Sequence, residues 1–135
     1  MPEAISRTLT LEECWSLLGT SGVGRVALVV DGVPRIIPVN YAVAEDVVHF
    51  RTAPGTVLTN VTSQTVAFEV DAIDPTTCSG WSVCVVGPGV VHENDSPYVD
   101  TWAPGARELR YRIVAEEVTG RRLYGPRYGS PSPDA

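Results

Sequence analysis

The sequence predicts a mainly β domain, an antiparallel barrel with one or two short helices. Three observations carry that expectation. Short segments rich in valine, isoleucine and threonine recur through the chain. Turn dipeptides such as Asp31-Gly32 and Glu45-Asp46 separate them closely enough for antiparallel neighbours. Only one stretch repeats apolar residues at the helical period. Five or six such strands leave open edges unless the sheet closes, which favours a barrel over an open sheet. With 135 residues and 44% hydrophobic content, the chain can bury one core.

The elements follow in order. Thr10 with Glu13 three residues on forms a capping box, and Leu11, Cys14, Trp15 and Leu18 share one helical face until Gly19 to Gly22 end it. Trp15 is expected in the core. Arg25 to Val30 is the first strand, and Asp31-Gly32 suits a two-residue hairpin into a second strand over Ile36 to Val43. Pro34 and Pro38 place that second strand at an edge or a bulge. Val47 to Thr52 is the third strand. Ala53 to Thr56 breaks it, and Val57 to Thr62 reads as a short helix despite its β-branched content. Thr65 to Val70 is a fourth strand, followed by the turn-rich stretch Asp71 to Gly80. Trp81 to Val86 is a fifth, apolar enough to be buried on both sides. Glu93 to Arg107 is a loop or broken helix. Leu109 to Val118 is a sixth strand with an extension through Arg121 to Tyr124. Residues 1–8 read as an extension, 9–124 as the domain and 125–135 as a flexible tail that can bury little.

The charge balance narrows the function. A net charge of −6 with no run of basic residues disfavours nucleic acid, although a local cluster can still hold a phosphate. Residues 1–10 lack an apolar stretch of signal length and no window has the composition of a membrane helix, so the expected location is the cytoplasm. Cys14, Cys78 and Cys84 lack metal or redox spacing and read as free thiols, Cys84 as a small buried side chain. No metal site is expected. His49 and His92, far apart in sequence, read as structural or exposed. Asp71 and Asp74 read as turn residues. Tyr98 and Trp102 suit either a lid or packing of a loop onto the barrel.

The stretch His49 to Thr56 is the most informative. A strand delivers Arg51 and Thr52 directly before a loop with Gly55 and Thr56, and a guanidinium, two hydroxyls and free amides suit a phosphate. An arginine at a strand end is, on composition alone, more often a solvated charge or a surface ion partner.

Leu9-Thr-Leu-Glu-Glu13, Gly24-Arg-Val-Ala27, Pro38-Val-Asn-Tyr41, Phe50-Arg-Thr52, Gly55-Thr56, Ala67-Phe-Glu-Val70 and Gly80-Trp-Ser-Val83 together resemble the pyridoxamine 5'-phosphate oxidase-like FMN-binding proteins, including their nitroimidazole reductase-like subgroup. The resemblance spans about Leu9 to Leu123. It implies a split β-barrel homodimer with FMN in clefts at the subunit interface, acting as an oxidoreductase on a small molecule. It places Arg51, Thr52, Gly55 and Thr56 at the coenzyme phosphate, and Pro38, Asn40, Tyr41, Trp81 and Ser82 beside the ring, the last two from either subunit. No catalytic acid or base is assigned. Relatives carry a lysine where this chain has Val57, and the loss of a charge-assisted hydrogen bond costs about 1.5–3 kcal/mol. The alternatives that follow are a deazaflavin coenzyme or a non-catalytic module with weakened FMN affinity. The C-terminal region lacks the Arg-Leu-x-Pro pattern of true vitamin B6 oxidases, so oxidation of pyridoxamine phosphate is not expected.

Overall fold

The computed structural model describes residues 5–92, 99, 102 and 109–126. Eight strands and one α-helix run in the order β1 (Ile5–Thr8), α1 (Leu11–Leu18), β2 (Val23–Val30), β3 (Val33–Ala44), β4 (Val47–Thr52), a 3-10 helix (Val57–Ser63), β5 (Thr65–Asp74), β6 (Ser79–Val91), β7 (Leu109–Ile113) and β8 (Glu117–Tyr124). Strands β6-β5-β2-β3-β4-β7 close on themselves through a β6–β7 pairing, and β8 with β1 continues the sheet from the other half of β6. The expected antiparallel barrel with short helices is therefore present. Tyr98, most of the stretch Glu93 to Arg107, and the tail beyond residue 126 lie outside the described residues.

Local chemistry accounts for the early elements. Thr10 Oγ1 accepts from the Glu13 amide at 3.1 Å while the Glu13 carboxylate accepts from the Thr10 amide at 3.0 Å, which fixes the start of α1. Asp31 and Gly32 both hold positive φ, 52° and 76°, as the tight hairpin between β2 and β3 requires. Among the described residues, Val33–Asn40, the first part of β3, pairs with β2, whereas Tyr41–Ala44 pairs with β4. Among the described residues, Pro34 and Pro38 thus sit on an edge with a neighbour on one side only, which suits their missing amides.

Four elements depart from the sequence reading. Residues 5–8, read as an extension, form β1 against β8. Residues 57–63 wind as a 3-10 helix, because Thr59, Asn60, Thr62 and Ser63 bond carbonyls three residues back and tighten the turn. β5 and β6 run deep into the stretch read as turns, so that Asp71 lies in a strand and only Asp74 caps a turn, accepting from the Thr76 amide. Leu109 to Tyr124 is two strands, broken at Val114–Glu116.

That break coincides with a division of labour in β6. Its residues 80–86 pair with β8, and its residues 89–91 pair with β7. Between them, Val114 donates to the Pro88 carbonyl and Glu116 to the Val86 carbonyl, which anchors the crossing chain to β6. A Cβ at Gly87 would stand 1.7 Å from the Val114 carbonyl oxygen, so only glycine admits the crossing.

Inside the barrel, Val26, Leu28, Tyr41, Val48, Phe50, Phe68, Val83, Val85, Tyr111 and Ile113 alternate with outward positions and form the core. On β6 the alternation persists: odd positions from Trp81 to Gly89 are buried, and Ser82, Cys84 and Val86 are half-buried rather than fully enclosed. Trp15 packs against the core from its margin. Cys14 is buried, Cys84 half-buried and Cys78 exposed, all three free.

Replacing Gly87 with alanine should cost about 3 kcal/mol in chemical denaturation, since backbone must move to admit the methyl group. Gly22→Ala meets nothing within 4 Å and serves as the control, with a change of about 0.5 kcal/mol or less. Equal midpoints for the two variants would refute this account of the crossing.

Candidate functional site

Alternation along the strands decides which predicted residues share a face. On β4, Val48, Phe50 and Thr52 turn inward, while His49 and Arg51 turn outward. On β3, Tyr41 turns inward and donates its hydroxyl to the Leu18 carbonyl at 2.5 Å, edge-on to Phe68. Pro38 and Asn40 share the outward parity. Asn40 accepts from the Trp102 amide at 2.8 Å, and Arg51 donates to the Val99 carbonyl at 3.4 Å. One outer face therefore carries Pro38, Asn40 and Arg51, linked through residues 99 and 102. The Trp102 side chain is 73% exposed.

At the end of β4 the inward Thr52 hydroxyl meets the Thr56 hydroxyl at 2.6 Å across the loop. Gly55 has φ +80° and nothing within 4 Å of where a Cβ would stand, so the loop is open at that point. Because one hydroxyl must donate to the other, the pair keeps one proton to offer an anion. Thr56 also accepts from the Thr59 amide and hydroxyl through its carbonyl, which fixes the loop to the 3-10 helix. Hydroxyls, an open glycine loop and the adjacent guanidinium are a donor set that fits a phosphate. Val57 adds no charge.

Trp81 and Ser82 do not join this group within one chain. They are consecutive on β6 and face opposite sides: Trp81 is buried, whereas Ser82 lines a separate outer cavity of about 340 Å³ with Thr8, Glu69, Cys84, Thr119 and Arg121. Beside that cavity Arg25 reaches Glu69 at 3.2 Å and Asp71 at 3.6 Å. Burial and the hydrogen-bonded Asp71 carboxyl push Glu69 up to about 7.

The sequence reading missed a set of groups on the Arg51 face. Across β4 and β7, Arg51 is opposite Arg110 and His49 is opposite Arg112. His92, whose amide donates to the Arg110 carbonyl, stacks edge-on against His49 with ring centroids 5.2 Å apart. The two histidines thus form a pair that their separation in sequence conceals. His49 is only 6% exposed, and burial, His92 and Arg112 all hold its pKa below the ordinary 6.5. The available signal was the period of two in His49/Arg51 and Arg110/Arg112, which puts each couple on one strand face.

A closed barrel, an attached strand pair and a polar outer face beside an open glycine loop define a split-barrel protein. The family model described as pyridoxamine 5'-phosphate oxidase matches residues 10–122. The chain belongs to that family. It is similar to the FAD binding protein from Mycobacterium smegmatis, with 32% identity over 87% of this chain and 98% of that one, TM-score 0.70. A Corynebacterium diphtheriae protein of unknown function is 30% identical over 87% and 97%, TM-score 0.71. A FAD-binding protein from Mesorhizobium loti shares the fold, at 23% identity over 89% and 98%, TM-score 0.71. No curated protein matches the chain. Among the described residues, no helix is long and apolar enough to cross a membrane.

The depressed His49 pKa sets a sign. The unfolded chain takes up a proton as pH falls below 6.5 while the folded ring resists it, so stability is lost as pH drops through that value. His49→Gln should flatten the fall in melting temperature between roughly pH 7 and 5. Parallel profiles for the two proteins would rule the ring out as a contributor.

Proposed function

We propose that this protein is a flavin-dependent oxidoreductase working as a homodimer, with the coenzyme phosphate at the end of β4 and the ring over the outer face of β3. The observation that carries the reading is the Thr52–Thr56 hydroxyl pair beneath the open Gly55 loop, with Arg51 and Asn40 together on the adjoining face. The Mycobacterium smegmatis relative, described as FAD binding, supports a flavin as the ligand.

A bound flavin supplies hydride or single-electron transfer to a small molecule. The protein's share is binding and orientation. Arg51, the Thr56 hydroxyl and the amides around Gly55 hold the phosphate by charge-assisted hydrogen bonds. The Asn40 amide, held by Gly22 and Trp102, presents its polar edge beside the ring and fixes its orientation. Ser82 faces outward on the far side of the barrel, so it reaches a coenzyme only from a second copy. That geometry supports the dimer: the half-site on β3–β4 of one protomer is completed by the β5–β6–β8 face of its partner. A face with Ile36 68% exposed beside Ala27 and Ala67 suits such burial. Tyr41 and Trp81 act from within the barrel, shaping the wall on which the site rests.

A second reading is favoured by Val57. Without a cation at that position, the same barrel serves as a deazaflavin-binding or non-catalytic module.

Titration of the purified protein with FMN, followed by flavin fluorescence, tests the first reading, and light scattering should give twice the 14.5 kDa chain mass. Protein indifferent to every flavin would leave the module. Thr56→Val should weaken flavin binding by about tenfold. Val57→Lys should tighten FMN by about one to two decades, and an unchanged affinity would place the phosphate elsewhere.

A further inference from the structure

We infer that two copies of this chain meet through the outer face of β2, β5, β6 and β8, and that their joining takes up protons at the Glu69–Asp71 pairs, so that the dimer loosens as the solution turns alkaline. The inference rests on the dimer reading and extends it from the interface to what controls it.

Cross-strand register lays this face out in bands. Ile36, Ala27 and Ala67 make one apolar row, and Ile73 and Leu123, on either side of Gly80, make another. Between them run two polar rows, Arg25–Glu69–Cys84 and Asp71–Ser82–Arg121. Ile36, Ile73 and Leu123 are all exposed in the single chain. A two-fold axis lying in the face near its centre sets apolar rows against apolar rows and polar band against polar band. The face is thus complementary to itself in shape of pattern, and Ser82 lies inside it.

The polar band holds more negative charge than positive. Arg25 reaches Glu69 at 3.2 Å and Asp71 at 3.6 Å, so one guanidinium serves two carboxylates. On β6, Ser82 and the Cys84 thiol add no charge, the thiol being kept protonated by burial and by Glu69 and Glu117. On β8, Glu117 is a further carboxylate, and Arg121 donates to the Ser6 and Thr8 hydroxyls of β1. Arg121 also stands two strands from Asp71, roughly 10 Å away. On β3 the residue opposite Arg25 is the uncharged Pro38. Joining two copies doubles this negative excess in one enclosed space. A proton on each pair leaves one carboxylate to one guanidinium, and the new O–H donates to the neighbouring carboxylate.

The direction of the effect follows. Burial and the Asp71 carboxyl already hold Glu69 at about 7 in the single chain, above the ordinary 4.5. Enclosure between two copies removes more water and raises it further. Association therefore has its full strength below about pH 7, where the separate chains carry the proton too, and is lost as pH rises through the higher value of the dimer. With one pair per protomer, two protons are linked to each dimer, and the dissociation constant should rise by up to about a hundredfold per pH unit.

Analytical ultracentrifugation of the wild-type chain over a dilution series, from about pH 6 to about pH 9, reads that constant. It should be level below about pH 7 and at least about tenfold higher at the alkaline end. Glu69→Gln, matched to wild type by circular dichroism, should remain dimeric with a constant that varies less than about twofold over the range. Carbon-13 NMR of the side-chain carboxyls, with the Glu69 signal assigned by its absence in that variant, gives a second reading: in the dimer it should titrate above 7. If the dimer holds at every dilution, the NMR midpoint decides. A midpoint in the ordinary carboxylate range, a measurable constant that stays level with pH, or a pH dependence that survives Glu69→Gln would overturn the inference and leave the dimer standing. Ile36→Glu, in the apolar row, should give a monomer, and a dimer indifferent to it would refute the assignment of this face. A wild-type chain that is monomeric at every pH and concentration would remove the dimer reading itself.

Discussion

The structure depends on one close approach: the backbone of Val114 crossing over Gly87, where a side-chain carbon would overlap the carbonyl oxygen. Because β6 lets the chain cross there, the same strand can hand its early residues to β8 and its late residues to β7. The β7 pairing closes the barrel. The β8 pairing builds the wing that carries β1 and receives α1, with Cys14 and Leu9 packed around Gly120. Any residue that holds β6 and Val114 apart would weaken both halves at once, since β7 and β8 both take part of their pairing from this one strand.

The second organising fact is the period of two. It sends Thr52 and Tyr41 inward while Arg51 and Asn40 go outward, and it sends Ser82 to a cavity on another wall. Neighbours in sequence are thereby divided between core and surface, and residues distant in sequence are brought together. His49 meets His92 in this way, and Arg110 arrives opposite Arg51. The rigid part of the site comes from the strands, and the adaptable part comes from a loop whose glycine holds φ at +80°.

Much of the fold was legible because its signals are local. The capping box, the Asp31-Gly32 hairpin and the limits of β4 follow from residues that touch their own neighbours. The break at Val114–Glu116 was not, because its cause lies in Gly87, more than twenty residues earlier, and nothing in Leu109 to Val118 itself interrupts a strand. Residues 5–8 lack an apolar face, and only the edge of β8 recruits them. Winding of 57–63 as 3-10 rather than α follows from hydroxyl and amide side chains competing for backbone carbonyls, a contest that apolar periodicity does not register. In the site, Arg51, Thr52, Gly55 and Thr56 stood out because they are contiguous. The cations on β7 did not, since their meaning appears only when register sets them against β4.

The prolines of β3 carry a final consequence. Among the described residues, the half of that strand from Val33 to Asn40 has a neighbour on one side only, and at Pro34 and Pro38 it has no amide hydrogen to offer. A foreign strand that tried to extend the sheet along this rim would find the ladder interrupted at both places. Extension of the sheet along this rim is thereby hindered, even though Ile36 and Val33 leave apolar surface exposed beside it.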